Sequence, residues 1–188
     1  MGYYDPYPLI NLDRPLCLIG FMGSDVHIVS YFLSTLSGVP FVELDKLIEH
    51  EVGMSLAQLY LEEGEERWRR LELKYLKKAL KMSPARIICL GDGALLHEEA
   101  ALLCAQEAVL VYLRRPQQTL YDRVIQKRKE SPLRFPLWVR KAPDHQEQLL
   151  AQLSIREPGY ERADLLIDAG EMGGLETAQR IAKRLSWF

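Results

Sequence analysis

Short apolar runs separated by helix-like stretches, with no hairpin signal between them, constrain this chain more than any other feature. The runs fall at Leu16 to Ile19, Phe41 and Val42, 86–90, Val109 to Leu113 and Leu165 to Ile167. Strands joined through helices run parallel, and strands apolar on both faces need helices on both faces. The expected fold is therefore α/β: a parallel β-sheet flanked by helices, in three α/β/α layers. In such sheets ligands gather at the carboxyl ends of strands, and Gly20, Glu43, Gly91 and Arg114 fall there.

The connecting segments carry helix signals of their own. Ile28 to Leu36 has helical spacing and is broken by Gly38, Val39 and Pro40. A helix is expected from Leu44 to Glu51, ending near Gly53. Ser55 and Gln58 have capping-box spacing and would start a short helix to about Leu61. From Glu65 to Lys81, Trp68, Leu71, Tyr75 and Ala79 form one apolar row, with Leu73, Leu76 and Leu80 beside it, and Ser83 and Pro84 stop the helix. Further helices are expected at Glu98 to Ala105, Pro116 to Lys129, His145 to Arg156 and Leu175 to Leu185. Pro132, Pro136 and Pro143 mark an irregular, mobile loop, and Met1 to Pro15 reads as an N-terminal extension to a domain spanning 16–188.

Composition removes several function classes. With 188 residues, 48% of them hydrophobic, the chain can bury one sizeable core. A formal net charge of -2 gives no electrostatic case for nucleic acid. Cys17, Cys89 and Cys104 have neither C-x-x-C nor metal-ligand spacing, which suits buried thiols in a reducing compartment. No apolar run approaches a membrane span, and the start lacks the pattern of a signal peptide. A cytoplasmic protein is expected.

The stretch from Leu16 to His27 is strand, glycine-bearing turn and helix, the setting of a phosphate-binding loop. In G-x-x-x-x-G-K-[ST] the backbone cradles phosphate, the lysine reaches its terminal groups and the hydroxyl binds magnesium. Here Gly20, Gly23 and Ser24 supply the frame, while Asp25, Val26 and His27 stand where the second glycine, the lysine and the hydroxyl belong. Asp25 is also well placed to cap the following helix. A metal site from Asp25, His27 and Glu43 has no closed ligand spacing to support it.

Five motifs in order then resemble the shikimate kinase family: G-F-M-G-S at Gly20, E-L-D at Glu43, E-E-G-E-E-R-W-R at Glu62, G-D-G at Gly91, and R-E-P-G-Y-E-R-A-D at Arg156. The resemblance runs from Leu16 to the C-terminus and implies a P-loop kinase architecture of the nucleoside monophosphate kinase type. It implies that Glu43 is a magnesium-associated carboxylate and that Asp45, the catalytic residue, also binds substrate hydroxyls. It implies that Arg69 and Arg156 grip a substrate carboxylate while Gly91 and Gly93 approach the ring. Gly20, Gly23 and Ser24 would face nucleotide, with Arg123 on adenine. Cys89 stands where a serine or threonine is common, and Ser131 replaces a lid arginine, with Arg128 and Arg134 nearby.

Two arginines suit a small acid because each offers a planar pair of donors to a carboxylate. They suit surface pairing with Glu62, Glu63, Glu65 and Glu66 as well. Asp92, inside the glycine turn, opposes an anionic ligand if it points inward and is harmless if it points outward. On the nucleotide side, a lost charge-assisted contact costs roughly 1.5 to 3 kcal/mol. A carboxylate about 4 Å from phosphate costs up to about 4 kcal/mol at an effective dielectric near 20. Micromolar binding amounts to only about 8 kcal/mol.

The leading expectation is therefore a shikimate kinase-like protein, inactive or impaired, that binds shikimate or a related hydroxy acid without a cofactor. The first alternative is an active kinase using ATP and Mg2+, with Arg128, Arg134 or a partner's residue replacing the lysine. The second is an interaction module with a protein partner.

Overall fold

The computed structural model describes residues 12–130 and 145–185. Five strands form one sheet: β1 (Leu16–Ile19), β2 (Phe41–Glu43), β3 (Ile87–Cys89), β4 (Val109–Arg114) and β5 (Leu165–Asp168). Their order is β2-β3-β1-β4-β5, with every pairing parallel. Between them run α1 (Val26–Ser37), α2 (Leu44–Val52), α3 (Leu56–Leu80), α4 (Glu98–Glu107), α5 (Gln117–Glu130) and α6 (His145–Tyr160), and α7 (Gly174–Leu185) closes the chain. A short 3-10 turn, Ala94–Leu96, follows β3.

Side-chain alternation along the strands divides the core into two layers. Cys17, Ile19, Ile88, Leu110 and Tyr112 point to one face, where α2 through α6 cover them. Leu16, Leu18, Ile87, Val111 and Leu113 point to the other, against Val29 and Leu33 of α1 and Ala178 and Ile181 of α7. Central strands buried on both faces read as unbroken apolar runs, which is why no polar alternation marks them. At the edge, β5 buries Leu165 and Ile167 and leaves Leu166 exposed.

The two helices expected on either side of residue 64 both form; α3 is their joined run, broken where Gly64 leaves the helical conformation at φ 81°. Two local expectations need correction. The expected end of α6 at Arg156 is passed, since the helix runs through Pro158 to Tyr160. Within α3, Glu72 is buried, while Leu73 and Trp68 are only partly so. Ser55 caps α3 as expected, its hydroxyl accepting from the Gln58 N–H at 3.2 Å. Residues 1–11 of the expected extension, and the loop bearing Ser131, Pro132, Arg134, Pro136 and Pro143, lie outside the described residues. Among the described residues no helix is long and apolar enough to cross a membrane.

Candidate functional site

The turn after β1 keeps the backbone of a phosphate-binding loop. The Ser24 N–H donates to the Phe21 carbonyl at 2.9 Å, and Gly23 takes φ 86° with the Leu120 carbonyl only 2.8 Å from where a Cβ would sit. At Gly20 an added Cβ would lie 2.5 Å from the Ser24 hydroxyl. Asp25 adopts φ 62° and ψ 33° immediately before α1. That left-handed conformation is ordinary for glycine and tolerable for aspartate.

The Asp25 carboxylate does not cap α1, contrary to one expectation. It turns outward to α5, where Arg123 Nη1 lies 2.5 Å from Oδ2 and Lys127 Nζ contacts Oδ1. Arg123, expected on adenine, therefore pairs with the loop. Val26, at the lysine position, is 7% exposed and packs in the α1 layer of the core. His27 is exposed and lines two neighbouring clefts. Ser24 is buried.

Behind the loop stands a residue that the sequence reading passed over. Arg114, placed at the site by its strand end, is 43% exposed and pairs with Asp168. Arg115 is instead buried, donating to the Ser24 carbonyl at 3.1 Å and to the Gly170 and Met172 carbonyls at 2.9 Å each. It ties the phosphate loop to the turn between β5 and α7.

A cleft of about 230 Å³ opens over the loop and reaches Glu43, Asp45, Asp92 and Lys127. A larger one, about 1000 Å³, continues past Glu43 and Asp45 to Glu49 and Gln58. Burial, then the charges of Glu72, Asp92 and Glu49, push the Asp45 carboxyl up to about 7. Cys89 is pushed up by burial and by Asp45 and Glu43, which leaves an inert thiol beside the cleft. No group of three or more potential metal ligands occurs among the described residues.

Arg69, Arg156 and the glycine turn come together on the far side. Arg69 lies so close over Gly93 that an added Cβ would stand 2.4 Å from Nη2. It donates to Glu72 at 2.6 Å and to Glu65 at 3.1 Å, so the ion pairing that the sequence offered for it is present. Arg156 is buried, donates from Nη1 to the Gln152 carbonyl at 3.0 Å, and places Cζ 5.9 Å from the centre of the Phe21 ring. Gly91 faces Glu72 Oε1 and Asp45 Oδ1, which lie 2.9 and 3.1 Å from where a Cβ would be.

Asp92 points inward. Its Oδ2 lies 3.6 Å from Arg156 Nε, and its main-chain carbonyl accepts from the Tyr160 hydroxyl. Burial pushes its carboxyl up, while Arg156 and Arg69 and the Gly93 N–H hold it down in part. Neither Glu72 nor Lys127 was singled out from the sequence. Both could have been found by spacing, since Glu72 is three residues from Arg69 and Lys127 four from Arg123, each pair on one helical face.

A family model, that of shikimate kinase, matches residues 27–186, which places Gly20 to Val26 just outside the matched stretch. The shikimate kinase of Chlorobium chlorochromatii (strain CaD3) is 33% identical over 174 residues, covering 91% of this chain and 90% of that protein. The shikimate kinase of Salinibacter ruber is 33% identical over 172 residues, covering 88% and 83%. Among solved structures, shikimate kinase from Acinetobacter baumannii in complex with shikimate superposes with a TM-score of 0.83 at 24% identity, covering 93% of each chain. A gluconokinase from Sinorhizobium meliloti 1021 shares the architecture at a TM-score of 0.52 and 16% identity, covering 94% of this chain and 98% of that one. The sheet and its flanking helices are thus those of a P-loop kinase fold.

Proposed function

The chain belongs to the shikimate kinase family, and from that membership we propose that it transfers a phosphoryl group from a nucleoside triphosphate to a hydroxyl of a small cyclic polyol related to shikimate. The observation that carries this reading is the pair of cations on Asp25. One carboxylate and two cations leave a net charge of +1 beside the loop. The repulsion that Asp25 alone would exert on phosphate, up to about 4 kcal/mol, is offset at its source. Lys127 also lines the cleft over the loop.

The remaining parts support the same chemistry. The left-handed residue at position 25 keeps the loop's backbone in the conformation that forms an anion-binding nest. Magnesium, which neutralises phosphate charge in such transfers, takes oxygen ligands, keeps several waters and needs only one or two carboxylates. Glu43 fits that demand, and the buried thiol of Cys89 does not. Asp45, with its carboxyl near neutrality, is suited to accept the proton of the attacking hydroxyl. Arg69, Arg156, Gly91 and Gly93 would form the wall against the ring. The three buried thiols, all free, accord with work in the reducing cytoplasm.

Titration with magnesium-ATP, followed by an assay of shikimate-dependent ADP release, tests the reading. Binding and release should both fall tenfold or more in Lys127→Ala. Absence of ATP binding, or release unchanged in that variant, would overturn it.

A second reading, ligand binding without turnover, is favoured by the burial of Val26, which leaves position 26 facing the core. Ligand binding with no ADP release would decide for it, and silence toward both ligands would favour an interaction module.

A further inference from the structure

Four buried polar atoms around the Gly91–Gly93 turn have no hydrogen-bond partner among the described residues: Asp45 Oδ1, Glu72 Oε1, Asp92 Oδ2 and Arg156 Nε. Glu72 and Arg156 are themselves 3% and 6% exposed. Buried polar groups are seldom left unpaired, so the set marks where a polar ligand is accommodated. Three of the four are carboxylate oxygens, and one is a donor. The ligand that satisfies them must supply mostly hydrogen-bond donors.

The charges say the same independently. Arg69 already has Glu72 at 2.6 Å, with Glu65 behind it, and Arg156 already has Asp92 at 3.6 Å. Asp45 adds a fourth carboxylate, with no ion pair among the described residues. A further carboxylate would find each guanidinium already beside a carboxylate and would face Asp92 at close range. A hydroxyl-bearing ligand without charge meets none of that opposition.

We propose that the pocket takes an uncharged cyclic polyol rather than a hydroxy acid, with Asp92 as the specificity-determining residue that stands where a ligand carboxylate would. Ring hydroxyls donate to Asp45 Oδ1, Glu72 Oε1 and Asp92 Oδ2, and one accepts from Arg156 Nε. The inference rests on the reading above only in taking this pocket as the acceptor site.

Shikimate and its methyl ester, which has the same ring hydroxyls and no charge, provide the test. Each is titrated calorimetrically into the full chain without nucleotide, at matched ionic strength. The wild type should bind the ester at least tenfold more tightly than the acid, and Asp92→Gly and the near-isosteric Asp92→Asn should each move the preference toward the acid. Tighter wild-type binding of the acid, binding of neither compound, or a preference unchanged in both variants would overturn the proposal. Nucleotide does not enter this measurement, so failure of phosphoryl transfer and failure of the specificity inference are read separately.

Discussion

On the phosphate side of the cleft two cations share one carboxylate, whereas on the ring side two guanidiniums meet three carboxylates and a fourth, Asp45, has no cation of its own among the described residues. The first arrangement keeps a surplus of positive charge, drawn from one face of α5, with the two side chains 23% and 36% exposed. The second is more deeply buried and carries a surplus of acceptors. The side that looks most damaged in sequence is thus the one that still carries a net positive charge. The side whose motifs look intact carries the altered balance. A motif reports which residues are present, but ligand class follows from the sum of charges and unpaired atoms that those residues leave.

The strongest way to break this comparison is to remove the acceptor at its centre. Asp45→Asn should lower kcat by roughly a hundredfold to ten-thousandfold, the usual contribution of a positioned general base, while magnesium-ATP affinity stays nearly constant. With the Asp45 carboxyl near 7, the wild-type rate should rise as pH passes through about 7, because the base is protonated below it. A pH–rate profile that keeps this limb in Asp45→Asn would assign it elsewhere.

The phosphate side can be broken on its own. Arg123→Ala and Lys127→Ala should each weaken magnesium-ATP by about tenfold to a hundredfold, corresponding to a charge-assisted contact of roughly 1.5 to 3 kcal/mol. Binding of a ring ligand alone should be unaffected. Equal losses for both ligands would mean that α5 supports the whole cleft rather than the phosphate.

The acceptor surplus on the ring side should also register as stability. Burial comes first among the causes that hold Asp45, Glu72 and Asp92 above their ordinary range. Between about pH 4 and 7 the folded protein therefore retains protons that the unfolded chain has released, and stability falls as pH rises through that window. Denaturant unfolding should show a decline on the order of 4 kcal/mol from Asp45 alone, complete slightly above pH 7. Asp45→Asn should flatten it.

The fold was legible because central strands are uniformly apolar and the helices between them carry their own start and stop signals. Gly38 and Gly53 end α1 and α2 in the left-handed conformation that their sequence context suggests. Charge pairing was less legible, because it depends on which way a side chain turns. Asp25 reads as a cap and turns to α5. Arg114 and Arg115 are adjacent at the end of β4, and the first pairs with Asp168 at the surface while the second is buried against the Ser24, Gly170 and Met172 carbonyls. Asp92 is a single substitution within a glycine turn, and only the position of Arg156, 64 residues away in the chain, decides what it does.

The smallest expected effect separates the two jobs that Asp25 performs. Its carboxylate neutralises part of the α5 charge, and its backbone is held at φ 62°, which costs a non-glycine residue about 1 kcal/mol. Asp25→Asn removes the charge and keeps the conformational cost; Asp25→Gly removes both. Magnesium-ATP should bind more tightly to both variants, by about tenfold at low ionic strength and by less as salt screens the exposed part of the pair. In denaturant unfolding, Asp25→Gly should be more stable than Asp25→Asn by about 0.5 to 1 kcal/mol, whatever either loses from the broken ion pairs. Tighter ATP binding in both, with that stability gap, would locate the restraint on nucleotide in the carboxylate alone. Weaker binding in both would mean that Asp25 holds Arg123 and Lys127 in place for phosphate, making the carboxylate part of the rebuilt site rather than a competitor for it.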